Sequence, residues 1–428
     1  MKQITAVMVG AGDRADVYAN VAITNPEKLK IVGIVDPNPV RNKLMQEKYG
    51  VCDENCYSSV EEFVKREKFA DCVINGTMDQ DHVKTSIPVL KKGYDLLLEK
   101  PFAVSEQEVK DLCEAADKYG SRVVICHVLR YTEFYKAIKN HILNGDIGDV
   151  ISIEQCEHVN YHHMAVSYVR GKWRSEKVCF APMLLAKSCH DIDIMMWMMK
   201  PTQPKSVVSF GSDFQFGKAR KPEQAGTRCM VDCKMKDRCI FDAEANYLMN
   251  PRWEQYAWNY LEGKCEINAE NMEKSLKTDN PYGKCVWDFE RDGNVDHQNV
   301  IINFENGAVG TFTMTGGAAK SERNIHIVGT KGEIKGTFED SKYVVRKMAP
   351  NEATPYTEEF YDLNVIGDKT GEKGAHGGGD VNLMTDFLEY LNGEKPSVSC
   401  TLLSDSTTSH LVVFKAEKSR KNGTIERI

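Results

Sequence analysis

The sequence lacks any long apolar run. None approaches the roughly 20 residues a membrane helix needs, and the longest candidate, around Met195–Met199, is bounded by Asp191, Asp193 and Lys200. The chain opens Met-Lys-Gln-Ile-Thr-Ala-Val-Met-Val-Gly, without a charged leader, apolar core and small-residue cleavage site. No signal peptide is therefore expected. Excess positive charge is missing too: 55 Lys and Arg against 62 Asp and Glu leave a formal charge of −7. That gives no reason to expect nucleic acid as a partner. Short basic clusters such as Lys418, Arg420 and Lys421 read as solvated surface. No internal repeat or low-complexity linker interrupts the chain. What remains is an ordinary globular composition, 42% hydrophobic and 27% charged, expected in a cytoplasmic protein that touches no membrane. A length of 428 residues is too great for one ordinary domain, so two are expected. The 14 cysteines of such a chain stay reduced. Most, like Cys72, Cys126, Cys156 and Cys400, lie singly in apolar stretches and read as small core residues.

The first third carries an ordered set of signals. Residues 4–9 form an apolar, β-branched run, as a buried parallel strand should. The run enters Gly10-Ala11-Gly12-Asp13-Arg14-Ala15, a helical stretch through Val21, and a second strand, Leu29–Val35, ending at Asp36. In this order Gly10 permits the tight turn, Gly12 lets backbone approach a pyrophosphate, and Ala15 keeps the helix close to the sheet. The helix N-terminus offers free N–H groups to phosphates. A carboxylate at Asp36 can accept both ribose hydroxyls and would repel a 2′-phosphate, which favours NAD. Arg41 keeps NADP open.

Helices expected at 59–67, 81–92 and 105–119 alternate with strands at 71–75, 94–98 and 122–126, which argues for a doubly wound parallel sheet. Ligands bind at the carboxyl ends of such strands. Asn75–Thr77, Glu99-Lys100 and His127 are thereby placed around one crevice with the glycine turn. A lysine at such a strand end suits general acid/base work or polarising a hydroxyl. An ion pair before a proline loop explains it equally well.

The Gly10–Ala15 turn, Asp36, Glu99-Lys100-Pro101, His82, Arg130-Tyr131 and the 144–148 turn together resemble the Gfo/Idh/MocA oxidoreductases. The resemblance implies a Rossmann domain (1–130) followed by an α/β domain (131–428) with a large, open, mostly antiparallel sheet. The face of that sheet would form a homodimer or homotetramer, and a C-terminal helix would pack back on the first domain. It implies NAD held by Gly10, Gly12, Asp13, Arg14, Asp36 and Arg41, with Thr77, His82, Glu99, Pro101 and His127 nearby. Lys100 would sit beside the nicotinamide and the reacting hydroxyl. The family's second motif is an Asp four residues before a His. Here His190 matches the histidine, but the Asp position is Ala186. Lys187 and Asp191, one residue from the matched positions, are expected to point about 100° around the helix.

His190 alone reads as a core histidine near Ile194, Trp197 and Met198; the resemblance turns it into a catalytic candidate. The segment 168–174 reads by itself as an exposed basic loop with one anchoring aromatic, but the resemblance implies that it approaches cofactor and substrate, which makes Arg170, Trp173 and Arg174 candidates; Lys187, His297 and His376 are further substrate candidates. Asp380, after the glycine run 377–379, reads as a helix cap. Cys229-x3-Cys233-x5-Cys239 lies in a loop-like polar stretch and reads as reduced structural thiols. The alternative is a structural zinc with Cys265, Cys285 or a histidine as fourth ligand; no catalytic metal is expected. The function expected is hydride transfer between NAD and a secondary alcohol of a sugar, cyclitol or polyol. Its rivals are an NAD-dependent lyase or glycosidase using transient oxidation at C3, and a silent NAD-binding regulator.

Overall fold

The computed structural model describes residues 2–250, 252–365 and 376–428. Strands β1 (Ile4–Val9), β2 (Leu29–Val35), β3 (Cys56–Tyr57), β4 (Cys72–Asn75), β5 (Asp95–Leu98) and β6 (Val123–Ile125) form one parallel sheet in the order β3-β2-β1-β4-β5-β6. Their apolar runs are buried on both faces, as the lack of alternation in the sequence required. Gly10 has φ +79°, and a Cβ there would lie 2.8 Å from the Thr77 nitrogen. A Cβ on Gly76 would in turn lie 2.9 Å from that of Ala15. The glycine turn, β4 and the helix Asp13–Ala19 thus meet at a spacing that only small residues allow.

Two details differ from the sequence reading. The helix expected at 59–67 is only Val60–Phe63, because the charged stretch 65–68 offers no apolar side chain to pack a further turn. The two-residue β3 gives no periodic signal and extends the sheet to six strands.

The second domain is built on nine strands: β7 (Val150–Asn160), β8 (Pro204–Ser212), β9 (His297–Phe304), β10 (Val309–Ala318), β11 (Glu322–Gly329), β12 (Gly332–Thr337), β13 (Lys342–Met348), β14 (Tyr356–Asp362) and β15 (Glu426–Arg427). They run β14-β13-β12-β11-β7-β10-β9-β8-β15 and are antiparallel except for β7 beside β10. Alternating residues such as Val300, Ile302 and Phe304 face a core that buries the helix Cys189–Met199 along its whole length. The opposite face is open, and Phe210, Ile301, Met348 and Phe360 are exposed on it.

Two segments tie the domains together. The helix Gly379–Leu391 sets Leu383, Met384, Phe387 and Leu388 against Ala6, Met8, Ala15 and Tyr18 of the nucleotide-binding domain. The Ile125 N–H then donates to the Thr401 carbonyl at 2.8 Å. Residues 213–296 lie between β8 and β9, and the stretch 229–239 within them is loop, as expected. They enclose a core of their own, with Tyr247, Trp253, Ala257, Leu261, Met272 and Leu276. No helix among the described residues is long and apolar enough to cross a membrane.

Candidate active site

The carboxyl ends of β1, β2, β4 and β5 converge as parallel-sheet topology demands. Asp36 accepts the Ala11 and Asn38 N–H groups, both at 2.7 Å, so the carboxylate that follows β2 also braces the glycine turn. The helix Asp13–Ala19 has no side-chain cap, which leaves its first N–H groups for an anion. Arg14 Nη1 is buried without a protein partner. A flat, anionic dinucleotide fits this cradle. Asp36→Ala is expected to weaken NAD about 10- to 100-fold and to narrow its advantage over NADP, since charge-assisted bonds and repulsion are lost together. Calorimetry with both dinucleotides checks this.

Arg14 reaches across the crevice. Its Nε donates to Glu99 Oε1 at 2.8 Å and its Nη2 to Asp380 Oδ1 at 2.5 Å. Glu99 also accepts the Tyr18 hydroxyl and the Lys100 N–H, each at 2.7 Å. Burial pushes the Glu99 carboxyl up, but Arg14 and Lys100 outweigh it and hold it ionised. At Asp380, Arg14 and His376 likewise overcome burial and bring the carboxyl down to about 2. Asp380 therefore does more than begin a helix: Gly378 is the N-cap, and the Asp380 carboxylate joins Arg14 to His376 Nδ1, 2.8 Å away.

Lys100 stands at the centre. Its Nζ donates to the Ala186 carbonyl at 3.1 Å, the backbone of the position where the resemblance expects an Asp. Its charge helps depress His127, His163 and His190. His190 is held well below its usual range by burial first, then by Lys100, His127 and His376, and its buried Nδ1 has no protein partner. It is a neutral imidazole beside a fixed cation. Asp79, also under Lys100, is pushed up by burial and accepts the Trp173 indole N–H at 3.1 Å.

The helical-wheel argument about Lys187 does not hold. Residues 183–186 form a separate short turn, the chain breaks at Lys187-Ser188, and the next helix begins at Cys189. Lys187 Nζ consequently reaches Glu157 at 3.0 Å, and Glu157 also accepts from Arg323. Burial pushes Glu157 up, yet Arg323 and Lys187 bring it down to about 2.

The other expected site residues have defined protein partners. His82 is buried, its ring nitrogens 2.7 Å from the Pro101 carbonyl and 3.0 Å from that of Thr77. It joins the segments that follow β4 and β5. His127 is 1% exposed and packs between the rings of His190 and His410, 5.6 and 5.8 Å away; burial lowers it to about 4. Arg170 is wholly internal, donating to the Lys284 and Phe241 carbonyls, the Tyr247 hydroxyl and Cys229 Sγ. Its long side chain supplies the donors that the 213–296 core lacks. Arg174 turns to the Gly171 carbonyl, and Tyr282 lies within its field. His297 pairs with Asp296, lies 3.4 Å from Ser212 and packs near Phe214, outside the Lys100 group.

Cys229, Cys233, Cys239 and Cys285 line one cavity with Arg170 and Trp287, while Cys265 is exposed. All 14 cysteines are free. Among the described residues no three His, Cys, Asp or Glu side chains stand together as metal ligands. Elemental analysis of protein purified without chelator is expected to give substoichiometric zinc, and denatured, unreduced protein to titrate 14 thiols. Stoichiometric zinc would restore the metal alternative.

Sequence reasoning missed His163, Glu157, Arg323, Tyr18 and Asp79. Arg323 lies 166 residues from the Glu157 it pairs with, so no local spacing could have announced the group.

A parallel sheet with a glycine turn after β1, a lysine after β5 and an open second sheet define a two-domain, NAD-binding oxidoreductase. Residues 4–127 match the NAD-binding Rossmann fold of the Gfo/Idh/MocA oxidoreductases, and residues 139–424 match their C-terminal alpha/beta domain. The chain belongs to that family. It is 25% identical over 370 residues to the oxidoreductase YteT of Bacillus subtilis, covering 84% of this chain and 82% of that protein. It is 23% identical over 197 residues to an inositol 2-dehydrogenase of Salmonella typhimurium, covering 46% of this chain and 54% of that protein. The fold matches the WlbA dehydrogenase of Bordetella pertussis, solved with NADH and UDP-GlcNAcA. The TM-score is 0.65 at 15% identity, over 100% of this chain and 98% of that one.

Proposed function

We propose that the protein catalyses reversible hydride transfer between NAD and a secondary hydroxyl or ketone of a sugar, cyclitol or related polyol. The observation that carries this is the pairing of a fixed cation, Lys100 Nζ on the Ala186 carbonyl, with the buried, unpartnered Nδ1 of the neutral His190. Lys100 holds the hydroxyl oxygen and stabilises negative charge as its proton leaves. His190, uncharged, takes that proton and returns it in the reverse direction. NAD, when bound, accepts the hydride from the carbon. We assign Trp173, Lys187 and His376 to the substrate, the last with its ring 6.5 Å from that of His190. The dehydrogenase relatives, one of them named for inositol, support a polyhydroxylated substrate.

A second reading, transient oxidation followed by elimination, draws support from Asp79. Its raised carboxyl can protonate a leaving oxygen, a role for which Ala186 supplies no group. Sugars, cyclitols and glycosides incubated with NAD separate the two. A dehydrogenase forms NADH in step with product, whereas the eliminating enzyme releases product without it. The exposed apolar face of the nine-stranded sheet is the surface we assign to a homodimer or homotetramer.

A further inference from the structure

Arg41 follows β2, where an arginine can grip the 2′-phosphate that distinguishes NADP. It does not stand free. Its Nε donates to Glu262 Oε2 at 2.8 Å and its Nη2 to Glu262 Oε1 at 3.2 Å, a two-pronged pair across 221 residues of sequence. Such a pair fixes both the charge and the direction of a guanidinium. Arg41 Nη1 lies 3.8 Å from Asp13 Oδ1 and 3.5 Å from where a Cβ on Gly12 would be. The guanidinium is therefore held against the glycine turn. Burial opposes its charge, but Glu262, Asp13 and Asp36 outweigh that and hold it cationic.

Glu262 belongs to the 213–296 segment of the second domain. That segment touches the nucleotide-binding domain again at Val40, 3.3 Å from where a Cβ on Gly263 would lie. Both partners of the ion pair are about one-fifth exposed, 22% and 21%, so their charges are only partly screened by water.

We propose that Glu262 is a cofactor-selecting residue. It occupies the Arg41 guanidinium, a cation beside the glycine turn that would welcome a 2′-phosphate. Selection of NAD over NADP is thus shared between the two domains. Asp36 acts from the first, and Glu262 acts from the second by disarming Arg41. The proposal rests on the assignment of the dinucleotide to the Gly10–Asp36 cradle.

The test is calorimetric titration of the full chain with NAD and with NADP at low salt. Glu262→Gln keeps the shape and removes the charge. It should lower the Kd for NADP about tenfold, a single charge-assisted contact's worth, with the Kd for NAD unchanged within twofold. Glu262→Ala should do the same without an amide in place. In the Arg41→Ala/Glu262→Gln double variant the gain should vanish, because Arg41 delivers it. An unchanged ratio of the two affinities in both single variants overturns the proposal, as does a gain that survives without Arg41. Failure of the wild type to bind either dinucleotide is a different result and strikes the cradle assignment itself.

Discussion

Lys100→Met lowers turnover on the confirmed substrate about 10²- to 10⁴-fold, and His190→Gln does so to a similar degree, the usual range for acid/base groups. NAD affinity changes far less in either variant, because neither side chain is needed for the grip of the glycine turn and Asp36. Replacing both costs less than the product of the single losses, since the hydroxyl held by one residue is deprotonated by the other. The pH profile adds a readout that mere structural damage would not move. Burial is the first cause that depresses His190 and the Lys100 charge the second. Removing that charge raises the histidine's pKa, so the acid limb of the residual activity shifts to higher pH in Lys100→Met. Steady-state rates across pH, with calorimetric NAD binding alongside, decide it. Near-normal turnover in Lys100→Met would leave only the nucleotide-binding role standing.

Asp193→Asn should be the most destabilising single-charge change in the site region, about 3–5 kcal/mol, because it strands a buried cation. Arg130 Nε donates to Asp193 Oδ2 at 2.7 Å and Nη2 to Oδ1 at 2.6 Å, with both side chains 1% exposed. His127 Nε2 lies 3.9 Å from the same carboxylate, so the substitution also withdraws the larger of the two charges, Asp193 and Glu99, that raise the His127 pKa. Asp193 sits one turn after His190 on the helix Cys189–Met199, while Arg130 closes the nucleotide-binding domain. The pair thus sets the helix that carries His190 against the nucleotide-binding domain. Urea denaturation measures the loss of stability. The double change Arg130→Met with Asp193→Leu should recover much of it, since no uncompensated charge remains. A loss below 1 kcal/mol for Asp193→Asn would mean that water reaches Arg130 and that the pair does not anchor the helix.

Much of the first domain is local physics and was legible in the sequence. Gly10 needs its positive φ, Gly12 and Ala15 need small volume, and buried parallel strands need unbroken apolar runs, so turn, strands and the Asp36 carboxylate are written within 36 residues. Strand alternation in the second domain likewise shows in β9 and β10, and Lys100 is placed by the end of its own strand. Tertiary structure decided which charges meet. Arg14 joins Asp380 across 366 residues of chain, Arg41 joins Glu262, and Lys187 turns to Glu157 because the chain breaks just before Cys189. Arg170, a substrate candidate in the sequence, is an internal donor because the 213–296 segment folds around it and turns the Phe241 and Lys284 carbonyls toward it. A side chain's chemistry is fixed by its residue type, but its role depends on whether burial leaves it a partner, water or neither. Only the folded packing of distant segments settles that.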